Sequence, residues 1–433
     1  MGFQSGRGSA GPNYRSYRAD IDGLRAVAIV SVVLFHSRYS VAPGGFVGVD
    51  VFFVISGYLI TKLILDHGQG SVTGFLWTFY ERRIRRLFPA MVPVLVVTTL
   101  LALYKMPPNV FEDYSKSLAA FLTFASNWYF WANTDYFDAP AQTKPLLHTW
   151  SLSIEEQFYL LFPAAILFIG RYGRVAVASF VIGVILLSLG YAVHTVSAGE
   201  PGAAFFNSFS RFWELALGAL LALGIISSPP DEWTKSILGM VGAVMIGVAV
   251  FTLDAHAPFP GLNALLPTVG AAAIIMANGG IVGRLLAWRP LVGVGLISYS
   301  LYLWHWPIFL FFPGAWNFAY AIALALGLSV VSYFVVEQPV RTGVLFPGRR
   351  TLYAAFAAGA SAFMLVGVVG AATGGLPQRY GDAAQEYESL RKWQFKELTK
   401  AARWGECWAL GTAAMQDSIA SCVKPLDGKV NPA

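Results

Sequence analysis

Charge is what this chain has least of. Asp, Glu, Lys and Arg make up 12% of its 433 residues, against about a quarter in an ordinary soluble protein, while 56% are hydrophobic. From Pro290 to Val336 no charged residue occurs at all, a stretch long enough for two membrane crossings and a tight turn. A soluble fold of this size would not hide so much apolar surface in repeated helix-length blocks. Cysteine is almost absent: Cys407 and Cys422 are the only two. The net charge of +6 sits in particular loops rather than along a face, which fits the cytoplasmic side of a membrane protein and implies no nucleic-acid partner. No metal site is read from the sequence.

The apolar blocks predict an all-α polytopic membrane bundle of about eleven transmembrane helices, at roughly 22–39, 46–66, 88–105, 151–170, 174–195, 207–226, 235–253, 262–280, 291–312, 317–336 and 351–373. With a cytoplasmic N-terminus, the inside loops collect the basic clusters at Arg15 and Arg18, Arg82 to Arg86, Arg171 and Arg174, and Arg349 and Arg350. The outside loops keep only Arg38, Lys105, Lys116, Lys144 and Arg211, so the bias supports this orientation. Residues 115–132 are apolar enough to span. Counting them would put the Arg171–Arg174 turn outside, so they are read as a re-entrant or interfacial helix rich in aromatics.

Three segments follow from this pattern: a cytoplasmic tail at 1–20, a transmembrane domain at 21–375 and a polar extension at 376–433. The first apolar block carries Arg25 and His36 and leads straight into a second span, so it does not read as a cleavable signal. Eleven spans put the extension on the periplasmic side, where Cys407 and Cys422 are a disulfide candidate. A bond across so short a loop contributes roughly 3 kcal/mol.

Within the apolar blocks a few ionisable residues stand out, and at membrane depth such residues are costly and usually functional. Arg25 and His36 are eleven residues apart. Eleven steps of about 100° return to nearly the same azimuth, so the two share one helix face about 16 Å apart along the axis. A lone buried histidine is by default hydrogen-bonded between helices, but a cation on the same stripe points instead to a lined cavity. An imidazole has the right intrinsic basicity for general-base work, and the cation suits an anionic part of a substrate. Arg82, Arg83, Arg85 and Arg86 place four guanidinium groups within five residues. That run suits an anchor to anionic lipid and a phosphate-binding surface alike.

His148-Thr-Trp150 opens a block that carries Glu155 and Glu156 inward, and Asp50 is a further acid among apolar residues. Ser210-Arg211-Phe-Trp-Glu214 reads by default as an internal i, i+3 salt bridge. His305, in Tyr302-Leu-Trp-His305, is expected to hydrogen-bond a neighbouring helix. His148, Trp150, Arg211, Glu214, Tyr302 and His305 are the further candidates for lining a substrate cavity.

Taken in order, Asp22-Gly-Leu-Arg25 with His36 beyond it, Gly44-Gly-Phe-Val-Gly-Val-Asp50, Arg82-Arg-Ile-Arg-Arg-Leu-Phe-Pro89, Trp150-Ser-Leu-Ser-Ile-Glu155-Glu-Gln-Phe-Tyr159 and Ser298-Tyr-Ser-Leu-Tyr-Leu-Trp-His305 resemble the acyltransferase-3 family of bacterial integral membrane enzymes. The resemblance covers about residues 17–375. It implies O-acylation, commonly O-acetylation, of a surface polysaccharide such as O-antigen, lipopolysaccharide or a similar glycan, with cytoplasmic acyl-CoA, chiefly acetyl-CoA, as donor. It also implies residence in the bacterial inner membrane. The family's Arg and His motif falls on Arg25 and His36, its acid on Glu155 and its basic patch on Arg82 to Arg86. Part of the family continues into an exported SGNH-type domain, and residues 376–433 resemble the linker before it, although no Gly-Asp-Ser nucleophile block follows before Ala433.

The expectation is therefore that acyl-CoA rests its phosphates on Arg82, Arg83, Arg85 and Arg86 and threads its pantetheine arm past Arg25 to His36. His36 would deprotonate an attacking hydroxyl, with Glu155 or Asp50 orienting or stabilising it. A transporter or flippase for a glycan precursor is the alternative, because an ionisable stripe in a helical bundle also suits a translocation path. Dependence on acyl-CoA separates the two.

Overall fold

The computed structural model describes residues 17–37, 41–68, 71–133, 143–312 and 318–380. Among them the chain is helical throughout, with no strand. This is the outcome expected when backbone groups in an apolar surrounding must be satisfied within their own segment. The helices that build the site are α1 (Ala19–His36), α2 (Gly48–His67), α3 (Val72–Lys105), α4 (Pro108–Leu122), α5 (Ser126–Asn133), α6 (Thr149–Ile169), α7 (Arg174–Ser197), α8 (Pro201–Phe206) and α9 (Ser208–Ala222). After them come α10 (Glu232–Thr252), α11 (Leu265–Ala277), α12 (Gly280–Leu286), α13 (Arg289–Leu296), α14 (Ser298–Phe311), α15 (Phe318–Val331), α16 (Gln338–Arg341) and α17 (Arg349–Ala372).

Among the described residues, seven helices are long and apolar enough to cross a membrane, and nine if the bent pairs α11–α12 and α13–α14 each count as one span. The helical core of every expected block is present, but the count of eleven spans is not confirmed. Helix α1 carries Asp20, Asp22 and Arg25 within eighteen residues, and α9 is only fifteen residues long. The α11–α12 pair turns through 97° at Asn278 and Gly279, both with positive φ. The 115–132 segment is not one helix. It breaks between α4 and α5, where Phe124 takes a φ of 56°, and α4 packs along α17.

Helix α3 runs for 34 residues, about 50 Å at 1.5 Å per residue, which exceeds a hydrocarbon core of about 30 Å. Its arginine-bearing first half therefore extends beyond the apolar slab. Ser71 starts it by accepting the amide of Gly74 at 3.4 Å, an ordinary N-cap. Helices α2 and α9 cross with their backbones in contact: a Cβ on Gly57 would strike the carbonyl of Leu215, and one on Gly218 the carbonyl of Val54. Small residues permit this approach, and it sets Asp50 opposite Arg211. Beyond α17, the Arg379 guanidinium donates to the carbonyls of Leu103 and Met106 and stacks on Phe111 at 4.5 Å. Cys407 and Cys422, with the rest of the extension, lie outside the described residues.

Candidate active site

Arg25, Arg83 and Arg86 meet in one cavity of about 680 Å³, counted to its open mouth. Helices α1, α2, α3, α6 and α14 wall it, with Ser56, Glu155, Tyr159, Ser298 and Tyr302 among the lining side chains. Arg25 also contacts Asp22 at 3.3 Å, and Asp22 accepts from the Tyr17 hydroxyl at 2.5 Å. Arg83 stacks on Tyr159 at 3.9 Å from the ring centroid, and Glu155 accepts from Ser56 Oγ at 2.8 Å. Three guanidinium groups against one lining carboxylate make this end of the cavity cationic and suited to a phosphate-bearing ligand. Phe52, Phe53, Leu59 and Leu87 give the rest of its wall an apolar surface.

The four-arginine run divides by helical phase. Arg83 and Arg86, at i and i+3, face the cavity. Arg85 is turned away: it donates to Glu81 at 3.1 Å and to the carbonyls of Val340 and Phe346 at 3.2 and 2.9 Å, so it staples the end of α16 and the loop after it to α3. Arg82 is exposed.

Tyr302 lines the cavity, and its hydroxyl bonds Ser151 at 2.6 Å and donates to the carbonyl of His148 at 2.8 Å. Near that ring are three imidazoles: His305 lies 5.5 Å from it, centroid to centroid, and His36 stacks on His305 at 5.3 Å. His305 is fully buried; its Nδ1 lies 3.2 Å from the Leu301 carbonyl and its Nε2 lies 3.2 Å from His36 Nδ1. A carbonyl only accepts, so Nδ1 of His305 carries the proton and, in the neutral ring, Nε2 is the acceptor. His36 must then donate from Nδ1, which leaves its basic lone pair on Nε2. The His148 ring sits 5.9 Å from that of His305 and 5.7 Å from that of Tyr302, centroid to centroid.

Both carboxylates expected to partner His36 make contacts elsewhere. Asp50 is paired elsewhere: Arg211 bridges to it at 3.1 Å and to Glu214 at 2.9 Å, and all three are fully buried. The Arg211–Glu214 pair is thus the internal i, i+3 bridge its spacing predicts. Glu155 is occupied with Ser56 on the cavity wall. A second histidine, His305, lies within hydrogen-bond distance of the His36 ring, brought there by the packing of α14 on α1. Trp150 packs against the buried triad, with the Arg211 guanidinium 5.7 Å from its ring and the Phe205 ring 4.6 Å away, centroid to centroid.

Glu337 is a residue the sequence reading passed over. A π-helical stretch over Ser332–Glu337 delivers it, buried, within 3.3 Å of Ser300 Oγ on α14. The available signal was its position as the first charge to close the charge-free run, and π-bulges concentrate at functional sites.

The fold and this cavity define a class: helical membrane proteins with a cationic internal chamber and a histidine pair next to one of its lining tyrosines. The chain belongs to the acyltransferase-3 family, whose acyltransferase domain matches residues 18–336. It is 31% identical over 350 residues to the peptidoglycan O-acetyltransferase OatA of Listeria monocytogenes, covering 76% of this chain and 56% of that protein. Similarity of the same order links it to the putative peptidoglycan O-acetyltransferase YrhL of Bacillus subtilis, at 31% over 354 residues and the same coverage. To the O-acetyltransferase OatA of Staphylococcus aureus it is 32% identical over 350 residues, covering 75% of this chain and 57% of that one. The chain thus spans a little over half the length of these relatives. No solved structure matches it.

Proposed function

We propose that this chain is a membrane O-acetyltransferase that takes an acetyl group from acetyl-CoA and passes it to a hydroxyl destined for a cell-envelope glycan. The relatives named as peptidoglycan O-acetyltransferases favour peptidoglycan over O-antigen as that glycan. The observation that carries the reading is the closeness of the Arg25–Arg83–Arg86 cavity to the His36–His305 pair: Tyr302 lines the cavity, and its ring lies 5.5 Å from that of His305. The arginines hold the phosphates of the donor, and the apolar wall takes its pantetheine arm. His36 accepts the hydroxyl proton on Nε2. His305 keeps that nitrogen unprotonated and stabilises the imidazolium that forms, by accepting from Nδ1. Glu155 lines the donor chamber and is not assigned to proton transfer.

The test is acetyl transfer by the full chain in proteoliposomes supplied with radiolabelled acetyl-CoA and peptidoglycan fragments. The wild type should release CoA and label the glycan, and His36→Ala should lower turnover by about 10²- to 10⁴-fold, the usual contribution of a general base. A folded His36→Ala protein with wild-type turnover would overturn the assignment, and transport of unmodified glycan without acetyl-CoA would favour a flippase.

A further inference from the structure

His148 is 2% exposed, and neither of its ring nitrogens has a hydrogen-bond partner among the described residues. An imidazole always carries at least one N–H, and burying such a donor unsatisfied costs about 1–3 kcal/mol. The backbone that carries the ring is nevertheless fixed. Tyr302 donates to its backbone carbonyl, Ser151 bonds the same oxygen at 3.3 Å, and Trp306 Nε1 donates to the carbonyl of Lys144 at 2.8 Å, clamping the 144–148 turn to α14. A buried donor on a fixed backbone, unpaired among the described residues, is available to a ligand.

The surroundings restrict that ligand. No group of three His, Cys, Asp or Glu side chains among the described residues is arranged to hold a metal ion, and the Nε2 lone pair of His305 is already committed to His36. The arginines that suit phosphate line the cavity together with Tyr302, whereas His148 is not one of its lining residues and sits against the Tyr302 ring at 5.7 Å. A neutral donor against aromatic rings, beside the proposed base, suits the oxygen of a carbonyl group.

We infer that His148 is a further catalytic residue, which donates a ring N–H to the carbonyl oxygen of the acyl group as it becomes an oxyanion; this rests on the acetyl-transfer reading above. In the step, the acceptor oxygen bonds to the carbonyl carbon and its proton passes to His36 Nε2. The carbonyl pair moves onto oxygen, where His148 meets it. On collapse the C–S bond breaks, and the CoA thiolate takes the proton back from His36. The gain is specific to the transition state, because the donor is preorganised where charge develops.

The experiment compares His148→Ala, His148→Gln and His148→Asn in the full chain in proteoliposomes, with acetyl-CoA as the probe. Binding and CoA release are measured separately. Alanine should lower turnover at saturating acetyl-CoA by about 10²- to 10³-fold, the effect of removing one oxyanion donor, with acetyl-CoA affinity within about twofold of wild type. One of the two amides, the one whose NH2 matches the donating nitrogen, should recover at least about tenfold over alanine, since an amide supplies a donor and does not act as a base. An alanine variant within threefold of wild type overturns the inference, as do two amides no faster than alanine. If alanine does not fold, the two amides decide: a difference of about tenfold between them supports the donor role and equal rates overturn it. A wild-type protein that transfers nothing from acetyl-CoA removes the functional reading itself, whereas an active wild type with an indifferent His148→Ala removes the oxyanion role alone.

Discussion

His305 accepts a hydrogen bond from His36 across 269 residues of sequence, at 3.2 Å, while its other nitrogen donates to the carbonyl one turn back on its own helix. The relay has a direction, because only one end of it is an obligate acceptor. It predicts that His305→Ala lowers turnover by about 10²-fold or more even though His305 touches no substrate, since a general base in the wrong tautomer is ineffective. Acetyl-CoA affinity should be unchanged. A loss seen in KM rather than in kcat would show that His305 shapes the donor site instead.

The split of the arginine run predicts two phenotypes from neighbouring residues. Arg83→Gln and Arg86→Gln should each weaken acetyl-CoA binding about tenfold or more, because a hydrogen bond to a charged group contributes roughly 1.5–3 kcal/mol. The loss should grow smaller as salt is raised, as for any partly solvated ion contact. Arg85→Gln should lower the thermal midpoint through the loop it staples and leave affinity near wild type, and Arg82→Gln should change neither. Equal effects at all four positions in a binding titration would refute the division.

The buried Arg211 holds two carboxylates. Arg211→Met should destabilise the protein by about 3–5 kcal/mol, because it leaves Asp50 and Glu214 buried without their cation. Asp50→Asn should be milder, since Glu214 keeps its bridge. Thermal unfolding in detergent measures both. Activity lost at Asp50→Asn with an unchanged midpoint would return Asp50 to the catalytic residues.

The distribution of basic residues predicts that the segment carrying Cys407 and Cys422 lies outside the cytoplasm. Those thiols should resist labelling until reduced, as in an oxidising compartment. A reporter after Ala433 that behaves as cytoplasmic, together with freely labelled thiols, would require an even number of spans.

Local chemistry was legible in the sequence wherever one helix contains it. The placement of Arg25 and His36 on one helix, the Arg211–Glu214 bridge and the helical cores of the eleven apolar blocks all depend on spacing within a segment, and the 3.6-residue period carries that information directly. The number of spans did not follow so easily, because a block such as α13–α14 bends by 65° without leaving an interruption in its hydropathy.

Only tertiary structure decided the partners. That His36 meets His305 rather than Asp50 or Glu155 depends on how α14 packs on α1, and that Asp50 meets Arg211 depends on the glycine-mediated crossing of α2 and α9. The sequence by itself determined which residues are ionisable and buried. Which of them satisfy one another is set by contacts between segments far apart in the chain, and no period in the sequence records those.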